Sequence, residues 1–431
     1  MLIERGADVK SQDDVEGTPL HMASRLGNVE VTRILIEHGA DVSAKNKDGR
    51  TPLHLASRWG QVEIICILIE CGADVTAQDK DEETPLHPAS RLGHVEAARM
   101  LIKHGADVSA RNKDGLMPLN LASTSGQVEV IRMLIECGAD ITSKDEDQET
   151  LLHLTSRLGH VEVIRILIEH GADMSAQNKD GRTPLHLALH QGQLTFIGTE
   201  VICMLIECSA DLTIHDKDEE TPLHLASRLG HVEAARMLIK HGADVLAKNK
   251  DRQTSLHLAS IWEQVEVIRM LIEYGADVMA QDKDEETPLH LASLYGYVEV
   301  TRMLIEHSAD VTSRNERGDT PLHLVSTQSR PWKAQDCAVV ADILLKHGAD
   351  VNSRNKDGLT SFSLASRFEV LEVTRVLLEH GADPSELLAS DSSPVISPAR
   401  TGFFARRSLR PVDIVAIAVA LHFLYKASRR P

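Results

Sequence analysis

Aromatic residues are scarce in this chain, with Phe, Trp and Tyr making up 3% of 431 residues. A chain this long around one globular core would be strained, and so few bulky side chains imply no enzyme-sized core. Cysteine is sparse too. Cys66, Cys71, Cys137, Cys203, Cys208 and Cys337 follow no recognisable secretory leader, which argues against a disulfide framework and for a reducing compartment. Catalytic signatures are missing: there is no HExxH, GxSxG, phosphate-cradling glycine loop or kinase pattern. Basic charge is in deficit, with 46 Lys and Arg against 64 Asp and Glu, a net of −18. Such a body repels phosphate, so a nucleic-acid partner is not expected. Neither a cofactor nor a metal is expected.

In place of these features the sequence has repetition. TPLHLAS, at Thr51 to Ser57, recurs intact or eroded eleven times, opening at Thr18, Thr51, Thr84, Met117, Thr150, Thr183, Thr221, Thr254, Thr287, Thr320 and Thr360. Eight of the ten steps are 33 residues, and the other two, 38 and 40, mark insertions into a fixed period. Within one repeat, Thr51 is a good N-cap and Pro52 suits the first helical position, where no N–H is needed. Leu53, Leu55 and Ala56 begin an apolar face, and Gly60 ends this short first helix. Val62, Ile65, Leu68 and Ile69 then recur at helical spacing, and Gly72 stops a second helix. Ala73 to Val75 runs extended, and Asn46 to Arg50 reads as a projecting turn. One such repeat cannot bury its own core, so stability must come from stacking on neighbours.

A 33-residue period carrying TPLHxA marks the ankyrin repeat. The chain resembles that family from Met1 to about Asp383, quoted in full by NKDGRTPLHLASRWGQVEIICILIECGADV at Asn46 to Val75. The resemblance implies an all-α repeat solenoid of stacked helix-turn-helix units over residues 1–383, a partial first unit followed by eleven of the TPLH type. It implies a curved stack that binds other proteins through its concave face and turn tips. It also implies that the TPLH histidines, His21, His54, His87, His153, His186, His224, His257, His290 and His323, tie neighbouring turns by hydrogen bonds, with Asn120 replacing one of them and weakening that link.

Several departures stand out. Asp79–Val108 and Asp216–Val245 are near copies, and NKDG turns (Asn46, Asn112, Asn178) alternate with DKDE turns (Asp79, Asp216, Asp282), a pattern that duplication history explains. MLIERGADV at Met1 matches the end of a second helix, so the chain reads as starting inside a repeat. LTFIG at 194–198 and the segment 328–336 enlarge connections between helices. Pro88 and Glu263 replace a motif Leu and a helix-ending Gly and mark weaker repeats. Residues 384–411 have linker composition. Residues 412–431 are apolar and flanked by base: from Ala399 onward seven basic residues face one acidic. Val412 to Tyr425 is 14 residues, about 21 Å as a helix against roughly 30 Å of hydrocarbon. It reads either as a helix capping the last repeat or as a weak membrane anchor lengthened by Arg410 and Lys426.

Nineteen of the 22 histidines fall in three repeat slots, TPLH, GHVE and the HGA or HSA ending, which assigns them structural roles. DKDEET lacks the Gly and the bidentate Glu of a calcium loop and reads as a solvated acidic turn. The two positions at the end of each first helix are more informative. The first holds Arg25, Arg58, Arg91, Arg157, Arg228 and Arg367, with Thr124, Leu189, Ile261, Leu294 and Thr327 in the other repeats. The second holds Leu26, Trp59, Leu92, Leu158, Leu229, Trp262, Tyr295 and Phe368, with Ser125, His190 and Gln328 in the other repeats. Trp59, Trp262, Tyr295 and Phe368 have the character of interface anchors in an aromatic-poor protein, with Arg58, Arg91, Arg228 and Arg367 beside them. The alternative is that each Arg pairs with an acidic turn and the apolar slot packs on the next repeat. The function expected is that of a monomeric, non-enzymatic, cytoplasmic scaffold or adaptor for protein partners. The alternatives are the recognition arm of a larger enzyme or signalling protein that continues before Met1, and an adaptor held on the cytosolic face of an organelle membrane by its tail.

Overall fold

The computed structural model describes residues 8–190, 196–327 and 333–385. The segment read as linker and tail lies outside the described residues from position 386 onward, as do the first seven residues and parts of both insertions. Among the described residues there are 22 α-helices and no strand, only two isolated bridges, Lys144 with Thr150 and Arg354 with Thr360. The helices follow one another in short pairs, and each pair contacts the next within its half of the chain, Met1–Asp216 or Lys217–Pro431. The protein is an all-α repeat solenoid.

The repeat from Thr51 shows how the sequence dictates this. Thr51 has extended backbone at the N-cap, and Pro52 opens the helix Pro52–Arg58. Gly60 turns the chain at φ 64°, a left-handed conformation that costs glycine little. The second helix, Val62–Glu70, ends where Gly72 sits at φ 88° and Ala73 N–H reaches back to the Leu68 carbonyl at 2.9 Å. Leu53, Ala56, Ile65 and Leu68 are completely buried. Each Leu or Ile so buried is worth about 1.5–3 kcal/mol, enough to hold a thin layer only when neighbours close both sides.

Two hydrogen-bonded seams join the layers. In the first, the backbone of one turn donates to the turn before it: Lys80 N–H to Asp48 O at 3.0 Å and Lys113 N–H to Asp81 O at 2.9 Å in the N-terminal half, Lys283 N–H to Asp251 O at 2.9 Å in the other. The second runs through the TPLH histidine. Thr51 N–H and O–H both donate to His54 Nδ1, at 3.1 and 2.8 Å, and His54 Nε2–H donates to the Glu83 carbonyl of the next turn at 2.9 Å. The same set recurs at His21, His87 and His153 in the first half and at His224, His257, His290 and His323 in the second. Only the neutral ring protonated at Nε2 satisfies all three bonds. Burial holds His21, His54, His87, His153 and His323 below their ordinary pKa, and brings His257 and His290 down to about 4.

Asn120 keeps half of this arrangement. Its Oδ1 accepts from Met117 N–H at 2.9 Å, but its shorter side chain forms no bond to the following turn. Asn120→His is expected to add about 1 kcal/mol, the net worth of one buried hydrogen bond, measured as a raised urea midpoint at unchanged slope. Pro88 also acts as its chemistry requires. In the repeat from Thr51, Leu55 N–H donates to Thr51 O, and at Pro88 no such donor exists, so the helix begins one residue later, at Leu86. Pro88→Leu is expected to stabilise by about 1–3 kcal/mol. An unchanged melting temperature would place this position outside the helical ladder.

The acidic turns correct the sequence-based expectation. Asp79 and Glu83 are each 7% exposed, and Asp216, Glu220 and Asp282 are buried as well, leaving only the middle of each turn to solvent. Asp79 Oδ1 accepts from Asp81 and Glu83 N–H at 2.9 Å, as Asn46 Oδ1 accepts from Asp48 and Arg50 N–H. The alternation of turn types also has a physical role beyond duplication. Arg50, at the end of an NKDG turn, pairs with Asp79 of the next turn at 3.2 Å, and Arg182 pairs with Asp216 at 3.5 Å. Asn178 Nδ2 donates to Glu149 at 3.3 Å. Unlike turns complement one another across the seam.

Candidate partner-binding surface

The ends of several first helices leave large apolar side chains uncovered. In the N-terminal half Leu26 is 66% exposed, Trp59 55%, Leu92 44% and Leu158 46%, all in the same position of their repeats. The helices that carry them, Pro19–Leu26, Pro52–Arg58, Leu86–Arg91, Pro118–Thr124 and Leu151–Leu158, contact one another in succession, so these side chains form a row interrupted at Ser125. In the C-terminal half Trp262 is 57% and Phe368 38% exposed, while Leu229 and Tyr295 are half-buried. Tyr295 stacks on Tyr297 with ring centroids 5.6 Å apart.

The arginines divide into two groups. Arg91, Arg157 and Arg228 are each clasped by the glutamate eight residues earlier: Arg91 by Glu83, Arg157 by Glu149 at 2.9 Å and Arg228 by Glu220 at 3.1 Å. Each Glu stands immediately before the motif threonine. For Arg25, Arg58 and Arg367 that place is taken by Gly17, Arg50 and Leu359, and none of the three has an acidic partner among the described residues. Arg91 and Arg228 thus serve the repeat itself, as the alternative reading supposed, whereas Arg58 and Arg367 keep their guanidinium groups unpaired beside Trp59 and Phe368.

The remaining histidine slots are structural. His94 Nε2 and His160 Nε2 donate to the carbonyls of Arg58 and Thr124, both at 3.0 Å, which secures the end of the preceding first helix. Gln264 reaches Arg228 O at 3.4 Å, and Tyr297 Oη donates to Ile261 O at 3.2 Å in the same way. The HGA histidines bond back within their own helix, His170 to Ile166 O and His241 to Met237 O. Sequence reasoning passed over Tyr297, although a tyrosine in the slot that most repeats fill with His or Gln was a visible signal. Among the described residues no cluster of His, Cys, Asp and Glu is arranged to hold a metal ion, and no helix is long and apolar enough to cross a membrane.

Comparison with known families agrees with this architecture. A family model described as ankyrin repeats (3 copies) matches residues 1–79, 76–145, 137–198 and 195–282. One described as ankyrin repeats (many copies) matches 265–325, and one described as ankyrin repeat matches 317–356. The chain belongs to the ankyrin repeat family, whose members are in general protein-interaction modules. No curated protein matches it.

Proposed function

We propose that this protein is a non-enzymatic scaffold or adaptor, monomeric and cytoplasmic, that holds partner proteins through its concave face and turn tips. Trp59, Trp262, Tyr295 and Phe368 are the anchors, with Arg58 and Arg367 beside Trp59 and Phe368 and without acidic partners among the described residues, and with Arg91 and Arg228 bracing their own repeats. The observation that carries this reading is the exposure of Leu26, Trp59 and Leu92, at 66, 55 and 44%, in the same slot of three consecutive repeats. Single exposed apolar residues are ordinary, but aligned ones mark interaction surfaces. Arginine beside an aromatic residue is the composition of interface hot spots.

The test is recovery of partners by the wild-type chain and by a variant with alanine at the four aromatic anchors, after helicity and melting are shown to match. Loss of specific partners from the variant is expected. Equal recovery would remove these residues from the interface.

A further inference from the structure

Three departures from the repeat meet at one place in the C-terminal half. Glu263 stands where most repeats close the first helix with glycine, and Tyr297 stands where they carry His or Gln. The 40-residue step between Thr320 and Thr360 brings Lys333 and Asp336 to the same spot, at the start of a helix, Ala334–Lys346, that packs on Pro288–Tyr295 and Val298–Glu306. Tyr297 is tethered to Ile261 O and backed by the Tyr295 ring, and Trp262 adjoins that tether. Lys333 Nζ lies 5.0 Å from the centre of the Tyr297 ring, 3.5 Å from Asp336 Oδ2 and 4.0 Å from Glu263 Oε2.

An aromatic face flanked by two carboxylates is a binding arrangement for an ammonium or guanidinium group. Here one already occupies it, supplied by the chain itself. The fit leaves capacity: the carboxylates of Glu263 and Asp336 remain 45 and 48% exposed, the Glu263 contact is at the limit of an ion pair, and Trp262 is 57% exposed alongside. Trp262, between Ile261 and Glu263 in the chain, is itself open to solvent. We propose that this cluster receives a lysine or arginine side chain of a partner protein, flanked there by an apolar residue that covers Trp262, and that Lys333 is its internal competitor in the free protein. The proposal rests on reading the helix-end aromatic residues as partner-facing and adds the chemistry of what they face.

The experiment uses the full chain and two labelled peptides, one with a single lysine between leucines in a glycine-serine frame, the other with glutamine in place of the lysine. Affinities are measured by fluorescence polarisation. Removing an internal competitor raises apparent affinity by the inverse of the fraction of time the site was open, so Lys333→Ala is expected to bind the lysine peptide about tenfold more tightly than wild type. The glutamine peptide should show no gain, and adding Glu263→Gln to Lys333→Ala should reverse it. Equal affinities of wild type and Lys333→Ala for the lysine peptide would overturn the proposal, and so would an equal gain for the glutamine peptide. No peptide gain together with partner loss in the four-anchor variant refutes the cation site alone. A gain with partner recovery unchanged in that variant refutes the anchor reading and leaves the cation site standing.

Discussion

Lowering the pH from 7.5 to 4.5 is expected to cost this protein several kcal/mol of stability through its buried histidines. In the unfolded chain a histidine takes up its proton near pH 6.5. In the folded chain His257 and His290 do so only at about 4, because burial disfavours the charged ring and Nδ1 is already engaged as an acceptor. The folded pKa is depressed, so the contribution of each ring is whole above pH 6.5, declines as pH falls toward 4 and is gone below that. At 1.36 kcal/mol per pH unit the two rings account for about 3 kcal/mol each. His21, His54, His87, His153 and His323 are lowered in the same direction, again chiefly by burial. Asp282, whose burial raises its carboxyl, works in the opposite sense but is one group against many. Urea midpoints across this range provide the measurement, and His257→Asn should flatten the profile of the C-terminal half. A stability independent of pH between 7.5 and 5 would mean that the rings carry their protons within the fold.

Truncation of Trp59 to alanine is expected to weaken partner binding by about 2 kcal/mol or more, roughly thirtyfold, without a measurable change in melting. Its side chain is more than half exposed, so the fold loses little when it is removed. The arginines beside the row should behave unequally. Arg58→Ala removes a group with no acidic partner among the described residues, so stability should stay within about 0.5 kcal/mol of wild type while binding falls. Arg91→Ala instead leaves the buried Glu83 carboxylate without its guanidinium, which should cost about 1–3 kcal/mol of stability. Titration calorimetry with a recovered partner, alongside thermal melts, separates the two. Equal behaviour of Arg58 and Arg91 in both assays would contradict the division.

The repeat was legible to the residue because its marker positions are fixed by bonding. Thr, Pro and His recur since the helix start needs a residue without a useful N–H, and the turn beyond needs a donor at the reach of an imidazole. The burial of Asp79 and Glu83 was not legible. In the linear sequence DKDEET is a run of charge, and only the stacking of turns shows that Arg50 lies over Asp79, 29 residues on. The arginines of the helix-end slot likewise look alike until the residue eight positions earlier is considered, Glu83 for Arg91 but Arg50 for Arg58. Tyr297 was visible as a substitution, yet its meaning depended on Lys333, which an insertion brings back across the layer.

Oxidative footprinting of the full chain, free and bound to a recovered partner, tests most directly whether the helix-end row is the partner-facing surface. The account predicts that Trp59, Trp262 and Phe368 become protected on binding, while Tyr274, Cys71, Cys137 and Cys208, exposed at the ends of second helices, oxidise as in the free protein. Protection confined to those second-helix residues, with both tryptophans still reactive, would contradict it.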